Sequence, residues 1–519
     1  MNGEKQKTGM EDNNRRLAKN SLIMYVQVFL SMVIGFFTAR ILLQTLGASD
    51  YGTYNVVGGF VSAMYIVSGP MVSGLQRFFA FDIGKNDNEQ LSKDFNTTNL
   101  IYIFFAIIII VLLETVGLWF INNKMSFEYG RMDVVNWVYQ LSIFAFVLSV
   151  IAQPYNALIL AHENIFINTV FAVVEKIGNL AIVLSLSLVP YDHLITYSTL
   201  MFLLAVVMRI APQIYCRRKY KESRFFFFWD KSFFKSLFTY SAFNTIGVFS
   251  GVAREQGLNI LLNMFFGPIV NTARALSSQL QNIVQSFYIN IFTPTRPQIT
   301  KYYAREQYDE MWTLYTRASK VMFYVCMAVS VPLFLEVDFV LNIWLGDYPE
   351  LTSDFLRLSL VIALLTSSSV LNNAVLQAAN RIKRQQVFVA LIQVMVLPLS
   401  YVALKLGASP LVPLIIAVSL QFIAIIIDIY VVRFELKKDM TFYVKMLLRL
   451  YGTCAVSTLP PYWVMTMMPS SFLRLVIVTM VGIISCSLLM YVIGLDKQER
   501  LLVVNLIRNI IGRLNKNSE

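Results

Sequence analysis

The chain has 519 residues, of which 56% are hydrophobic and only 14% charged, with a mean hydropathy of +0.59. Soluble domains carry about a quarter of their residues as Asp, Glu, Lys or Arg, so this composition excludes a soluble globular protein and predicts an all-α, polytopic membrane protein. The formal net charge of +12 would suit a nucleic-acid partner, but the cations sit in alternate loops between apolar runs, as membrane topology demands, and no nucleic-acid partner is expected.

A polar, basic lead of about twenty residues, without the pattern of a cleaved signal peptide, runs directly into the first apolar stretch. Runs of about 20 apolar residues read as spanning helices. About fourteen occur, near 20–43, 54–78, 97–119, 138–160, 166–189, 195–216, 237–265, 271–293, 316–343, 354–378, 387–406, 411–432, 446–468 and 472–493. The connections alternate in charge. One set holds Lys5, Arg15, Lys85, Arg217–Lys219, Lys301, Arg381, Arg384, Lys437 and Lys497, whereas the other holds little beyond Lys124 and Arg131. The positive-inside rule then places both termini and the basic loops in the cytoplasm, consistent with an even number of spans. The outer loops are short, and the longest, about Ile121–Asn136, is too small to fold as a domain.

The longest inner loop carries Arg224-Phe225-Phe226-Phe227-Phe228-Trp229, a composition expected in the headgroup layer. The tail from Lys497 to Asn515 places Leu501, Val504, Ile507 and Ile511 at helical spacing among Arg500, Arg508 and Arg513, which predicts an amphipathic helix on the inner membrane face. Asn96-Thr97-Thr98 matches a glycosylation sequon but falls on the inner side, where the match has no use. A weak internal repeat is visible. Leu46-Gly47-Ala48-Ser49 follows the first span, and Phe266-Gly267-Pro268 follows the seventh; both read as short outer turns built on glycine. The expected organisation is an N-terminal lobe 1–216, a basic linker 217–236, a C-terminal lobe 237–433, two extra spans in 434–493 and a cytoplasmic tail 494–519.

The polar residues inside these runs are the functional candidates. In the eighth span Arg274, Ser278, Gln281 and Gln285 are spaced +4, +3, +4 and share one helical face; in the seventh, Asn244, Gly247, Gly251 and Arg254 do the same. A charge at the middle of a spanning helix costs about 2.5–3.5 kcal/mol on insertion scales, so these faces point to a hydrated interior rather than to lipid. Arg254 and Arg274 offer the planar fork that suits a phosphate. The competing reading is structural, with Glu255 neutralising Arg274 across the hairpin. Arg40, near the outer end of the first span, is a cavity-mouth candidate or a snorkelling cation. Glu255 and Asp428 are the candidates for coupling to H⁺ or Na⁺, although Asp428 is also placed to meet Arg433 near the headgroups. Glu175 is followed by Lys176, and a local pair is the plain expectation there.

Several absences narrow the chemistry. There is no GxxxxGK[ST], no HExxH and no His-rich cluster, since His162 and His193 are the only histidines. Cys216, Cys326, Cys454 and Cys486 form no CxxC pair. No catalytic residue, metal or organic cofactor is therefore expected. Short outer loops and the lack of paired carboxylates argue against a membrane glycosyltransferase or glycan polymerase.

Asn20-Ser-Leu-Ile, Ala39-Arg40-Ile-Leu-Leu, the run Leu46-Gly-Ala-Ser-Asp-Tyr-Gly-Thr-Tyr54 and Phe266-Gly-Pro-Ile carry a resemblance over nearly the whole chain. It resembles the Wzx-type polysaccharide and O-antigen flippases, the polysaccharide transporter family of the multidrug/oligosaccharidyl-lipid/polysaccharide exporter superfamily. The resemblance implies two six-helix lobes plus two C-terminal helices, with a central cavity lined by spans 1, 2, 7 and 8. It implies a bacterial inner-membrane protein that moves an undecaprenyl-diphosphate-linked oligosaccharide to the outer leaflet by alternating access, for O-antigen, capsule or another surface polysaccharide, with polysaccharide polymerase machinery as a partner. The alternative within the superfamily is a cation-coupled multidrug exporter, whose usually cationic cargo wants an acidic cavity.

Overall fold

The computed structural model describes residues 2–496 and 499–501, with side chains from residue 27 onward except at 67, 70, 73, 165, 240, 242–246, 248 and 497–498. Beyond Leu501 the expected amphipathic tail lies outside the described residues. The fold is all-α, and no strand occurs among the described residues. In chain order the helices are α1 (Asn2–Ser62), α2 (Tyr65–Gly84), α3 (Asn88–Leu112), α4 (Leu118–Lys124), α5 (Met132–Ala161), α6 (Ile165–Leu186), α7 (His193–Lys219), α8 (Lys231–Phe266) and α9 (Pro268–Ala304). They continue as α10 (Tyr308–Leu335), α11 (Val337–Leu345), α12 (Thr352–Ala378), α13 (Lys383–Lys405), α14 (Val412–Leu436), α15 (Thr441–Ser457), α16 (Leu459–Met467) and α17 (Phe472–Leu489). Every apolar run expected to span falls in helix. Among the described residues ten helices, counting α1 from Gln27 and joining α3 to α4, are long and apolar enough to cross a membrane; α2, α8 and α9 do not meet that measure, and α15 and α16 are each too short.

Local chemistry sets the helix ends. Asp87, Asp192, Asp230 and Ser471 each accept hydrogen bonds from backbone N–H groups of the turn they precede, satisfying donors that have no intrahelical partner. Burial opposes ionisation of Asp192, but the N–H groups of Ile195 and Leu194 and the Arg131 guanidinium hold its carboxyl below the usual value. Pro460 and Pro461 sit in the first turn of α16, where their missing N–H costs nothing, and they break the run between α15 and α16. A π turn at Leu113–Gly117 joins α3 to α4.

The chain divides into two compact units, Met1–Ala275 with Leu397–Pro410, and Leu276–Val396 with Leu411–Glu519. In the first, α5 packs on α7 and α3, α1 on α6, and α2 on α5 and α8. Its core is apolar and aromatic, with Leu75, Phe79, Leu91, Phe95, Tyr102 and Tyr139 fully buried. The segment after α7 is fastened to this unit chiefly by side chains of α3. Asn96 is buried; its Nδ2 donates to the Arg224 carbonyl at 3.2 Å and its Oδ1 accepts from the Phe226 N–H at 2.9 Å. Thr97 continues the pairing with Phe228 and Asp230. The sequon asparagine is thus a backbone clamp with no room for a glycan. Phe225, Phe227 and Trp229 are left exposed on the clamped segment, as a headgroup-layer segment requires.

In the second unit, α10 packs on α12 and α17, and α12 on α14. Tyr315, Phe323, Phe355 and Tyr443 are buried at its centre. Two of its hydroxyls are paired: Tyr443 Oη donates to the Ser368 carbonyl at 2.7 Å, and Tyr315 Oη donates to Asn372 Oδ1. Glu336, fully buried, meets Arg474 at 2.7 Å.

Candidate functional site

The two glycine turns that suggested an internal repeat have the same backbone conformation. Gly47 has φ 76°, ψ 169° and Gly267 has φ 78°, ψ −173°, a region open essentially to glycine alone. The Gly47 turn folds α1 back on itself, and the Gly267 turn folds α9 back along α8. The Gly47 turn, α8 and the start of α9 as far as Ala275 belong to the first unit, and the tips of the two hairpins touch there. A Cβ on Gly52 would lie 1.9 Å from the Pro268 carbonyl oxygen, so only glycine permits this approach. Thr272 Oγ1 donates to the Ala48 carbonyl at 2.5 Å. Farther along, Gly59 of α1 faces the Gln256 amide of α8, 2.6 Å from where a Cβ would stand.

Antiparallel pairing of α8 with the start of α9 then brings the candidate charges together. Asn271 Nδ2 donates to the Asn259 carbonyl at 2.7 Å, and one turn deeper Arg274 Nη2 meets Glu255 Oε1 at 2.7 Å. The Arg274 side chain is 3% exposed, whereas that of Glu255 is 39% exposed, so the open edge of the pair is the carboxylate. Arg274 thus forms the hairpin ion pair with Glu255. Arg254, the adjacent α8 residue, is half-buried and has no hydrogen bond or ion pair among the described residues. The Glu255 carboxylate is thus taken up by Arg274, and the positive excess resides on Arg254.

The remaining candidates are placed as follows. α9 runs unbroken through Arg274, Ser278, Gln281 and Gln285, so their spacing keeps them on one helical face; Gln281 is buried, and Ser278 and Gln285 are half-buried. Arg40 on α1 is exposed. The side chain of Asn244 lies outside the described residues. Asp428 on α14 is buried and accepts from Gln385 Nε2 of α13 at 2.9 Å, so its partner is an amide and not Arg433. Among the described residues no group of His, Cys, Asp or Glu has the arrangement of a metal site.

Sequence reasoning missed two intrahelical cations. Glu175 on α6 pairs with Arg209 on α7 at 3.0 Å, not with its neighbour Lys176, because consecutive helical residues point about 100° apart. The pair borders a cavity of about 280 Å³ inside the first unit, lined also by Tyr54, Ser62, Ser142 and Ser149. In the second unit Lys320 of α10 is 6% exposed at its side chain and meets Glu499 at 2.8 Å and Asp496 at 2.9 Å. The available signal was a lone cation inside an apolar run, which must find a partner or neutralise.

No family model and no curated protein matches the chain. Solved structures do. The lipid II flippase MurJ in an inward closed conformation superposes with a TM-score of 0.64 at 13% identity, covering 91% of this chain and 98% of that one. A multidrug resistance MATE family transporter of the MOP superfamily, inward-facing, gives 0.60 at 13% identity over 79% and 94%. A MOP superfamily transporter from Pyrococcus furiosus, reported with a binding pocket of reverse polarity, gives 0.58 at 15% identity over 82% and 96%. At such identities the likeness is one of fold: this chain has the fold of the MOP transporters, which include flippases and drug exporters.

Proposed function

We propose that the chain is a flippase for an undecaprenyl-diphosphate-linked oligosaccharide, carrying it from the cytoplasmic to the outer leaflet of a bacterial inner membrane by alternating access. Both termini are cytoplasmic in this reading, and the glycan serves a surface polysaccharide such as O-antigen or capsule, handed on to polymerase machinery. The observation that carries it is the charge balance of the α8–α9 hairpin. Arg274 is held by Glu255, and Arg254 beside them is a half-buried guanidinium without an ion-pair partner among the described residues. An interior cation of this kind meets an anionic headgroup, and arginine binds phosphate oxygens with two parallel N–H donors. A cationic drug would be repelled by it.

The same charge gives an energy source. Moving one elementary charge across about 100 mV is worth about 2.3 kcal/mol, and an anion leaving a negative interior moves downhill. Exchange of H⁺ or Na⁺ at Glu255 or Asp428 would add to that drive.

The test replaces Arg254 and Arg274 by Ala, singly and together, in a strain whose surface glycan depends on the protein. Loss of surface glycan in the Arg254 variant, with the protein still present in the membrane, is the expected result. Normal glycan with both residues changed and expression unaltered overturns the headgroup role. The second reading, a multidrug exporter, is favoured by the likeness to MATE transporters; it predicts that drug susceptibility, and not glycan, changes on deletion.

A further inference from the structure

The second unit carries a cleft at the end bearing the basic loops, which the positive-inside rule assigns to the cytoplasmic face. It holds about 540 Å³ between the first turns of α10 and α15, beneath the Lys437-Lys438 corner, and a further recess of about 230 Å³ continues it along α15. Trp312 forms its wall, edge-on to Phe442 at 5.8 Å between ring centroids, and Lys438 Nζ stands 5.8 Å over the indole.

The charges of this cleft do not cancel. Asp496 and Glu499 are committed to buried Lys320, and Asp496 also meets Arg449. That leaves Arg317, Lys438 and Lys445 with no ion pair among the described residues, against Asp309 in the cleft and the exposed Asp439 beside Lys445. The chain beyond Leu501 adds Arg508, Arg513 and Lys516 against Glu519, which is the wrong sign to neutralise them.

The α15 helix indicates where the missing anion comes from. Lys445 and Arg449 form one stripe at i, i+4 spacing, and Val444 and Leu448, both exposed, form the next. An apolar stripe facing outward beside a cationic one is the surface of a helix at the boundary of acyl chains and headgroups. We propose that this cleft binds the phosphate headgroup of an anionic glycerophospholipid of the surrounding bilayer, with Lys438, Lys445 and Arg317 around the phosphate and Val444 and Leu448 along an acyl chain. This site is in the second unit and does not depend on the cargo assigned above.

The full-length protein, delipidated in detergent, would be exposed to vesicles of phosphatidylcholine alone or of an equal mixture with phosphatidylglycerol. Lipid retained after re-extraction is then counted by native mass spectrometry. The expected result is preferential retention of phosphatidylglycerol. In Lys438→Gln/Lys445→Gln its affinity falls about fivefold per cation removed, and Lys438→Arg/Lys445→Arg restores it. Equal retention of the two lipids, or unchanged retention in the Gln variant, overturns the proposal. So does displacement of the lipid by inorganic phosphate at low concentration, which would assign the cleft to a soluble anion.

Discussion

Gly52→Ala probes the joint between the two hairpin tips. The added Cβ would stand 1.9 Å from the Pro268 carbonyl oxygen and 2.7 Å from Thr272 Oγ1, and the first of these is backbone, which cannot rotate away. The tips must separate by about 1.5 Å to restore an ordinary contact, since packed interiors do not absorb such an overlap. Overpacking of this kind costs about 1–3 kcal/mol. A cost near 2 kcal/mol moves the equilibrium between tips together and tips apart about thirtyfold. Cysteines placed at Ala48 and Thr272 report that equilibrium as cross-linking yield in membranes. Yield is expected to drop sharply with alanine at position 52. The control is Gly58→Ala on the same helix, where a Cβ meets nothing within 4 Å; it is expected to be neutral or slightly stabilising. Unchanged cross-linking and melting temperature in Gly52→Ala would refute the claim that the tips are held in backbone contact.

Three further outcomes follow from the buried polar groups. Glu499→Gln strips the better-buried partner from Lys320, leaves Asp496 in place, and is expected to destabilise the protein by about 1.5–3 kcal/mol, whereas Lys320→Met combined with it recovers most of the loss; a thermal melt of the single and double variants decides this. Asn96→Ala leaves the Phe226 N–H and Arg224 carbonyl without their clamp and costs about 1–3 kcal/mol, read as faster proteolysis of the segment 224–230. Burial opposes ionisation of Glu222, but His162, at 2.7 Å, and a backbone N–H override it and hold this loop carboxyl below its ordinary value. A depressed carboxyl stabilises the fold above its unfolded pKa of about 4.3 and loses that contribution as pH falls through the folded value. The melting-temperature gap between the parent and Glu222→Gln is therefore expected at neutral pH and should close in acid; a gap that widens on acidification would contradict the sign.

The fold class was legible in composition and in the length of the apolar runs, because a bilayer of fixed thickness and no internal water leaves helices as the way to satisfy every backbone group. The paired turns were legible too, since a glycine between two apolar runs marks a backbone angle that other residues avoid, and Gly47 and Gly267 share that angle. The pairing of charges was not. Glu175 chose Arg209 over adjacent Lys176, Asp428 chose Gln385 over Arg433, and Lys320 found Asp496 and Glu499 well over a hundred residues away. Sequence shows that a charge in an apolar helix needs a partner; which one it takes depends on which helices lie side by side and how each is rotated, and only tertiary packing sets that. The contact at Gly52 belongs to the same category. Its glycine is visible in the sequence, but the carbonyl that forbids a side chain there comes from a hairpin more than two hundred residues later.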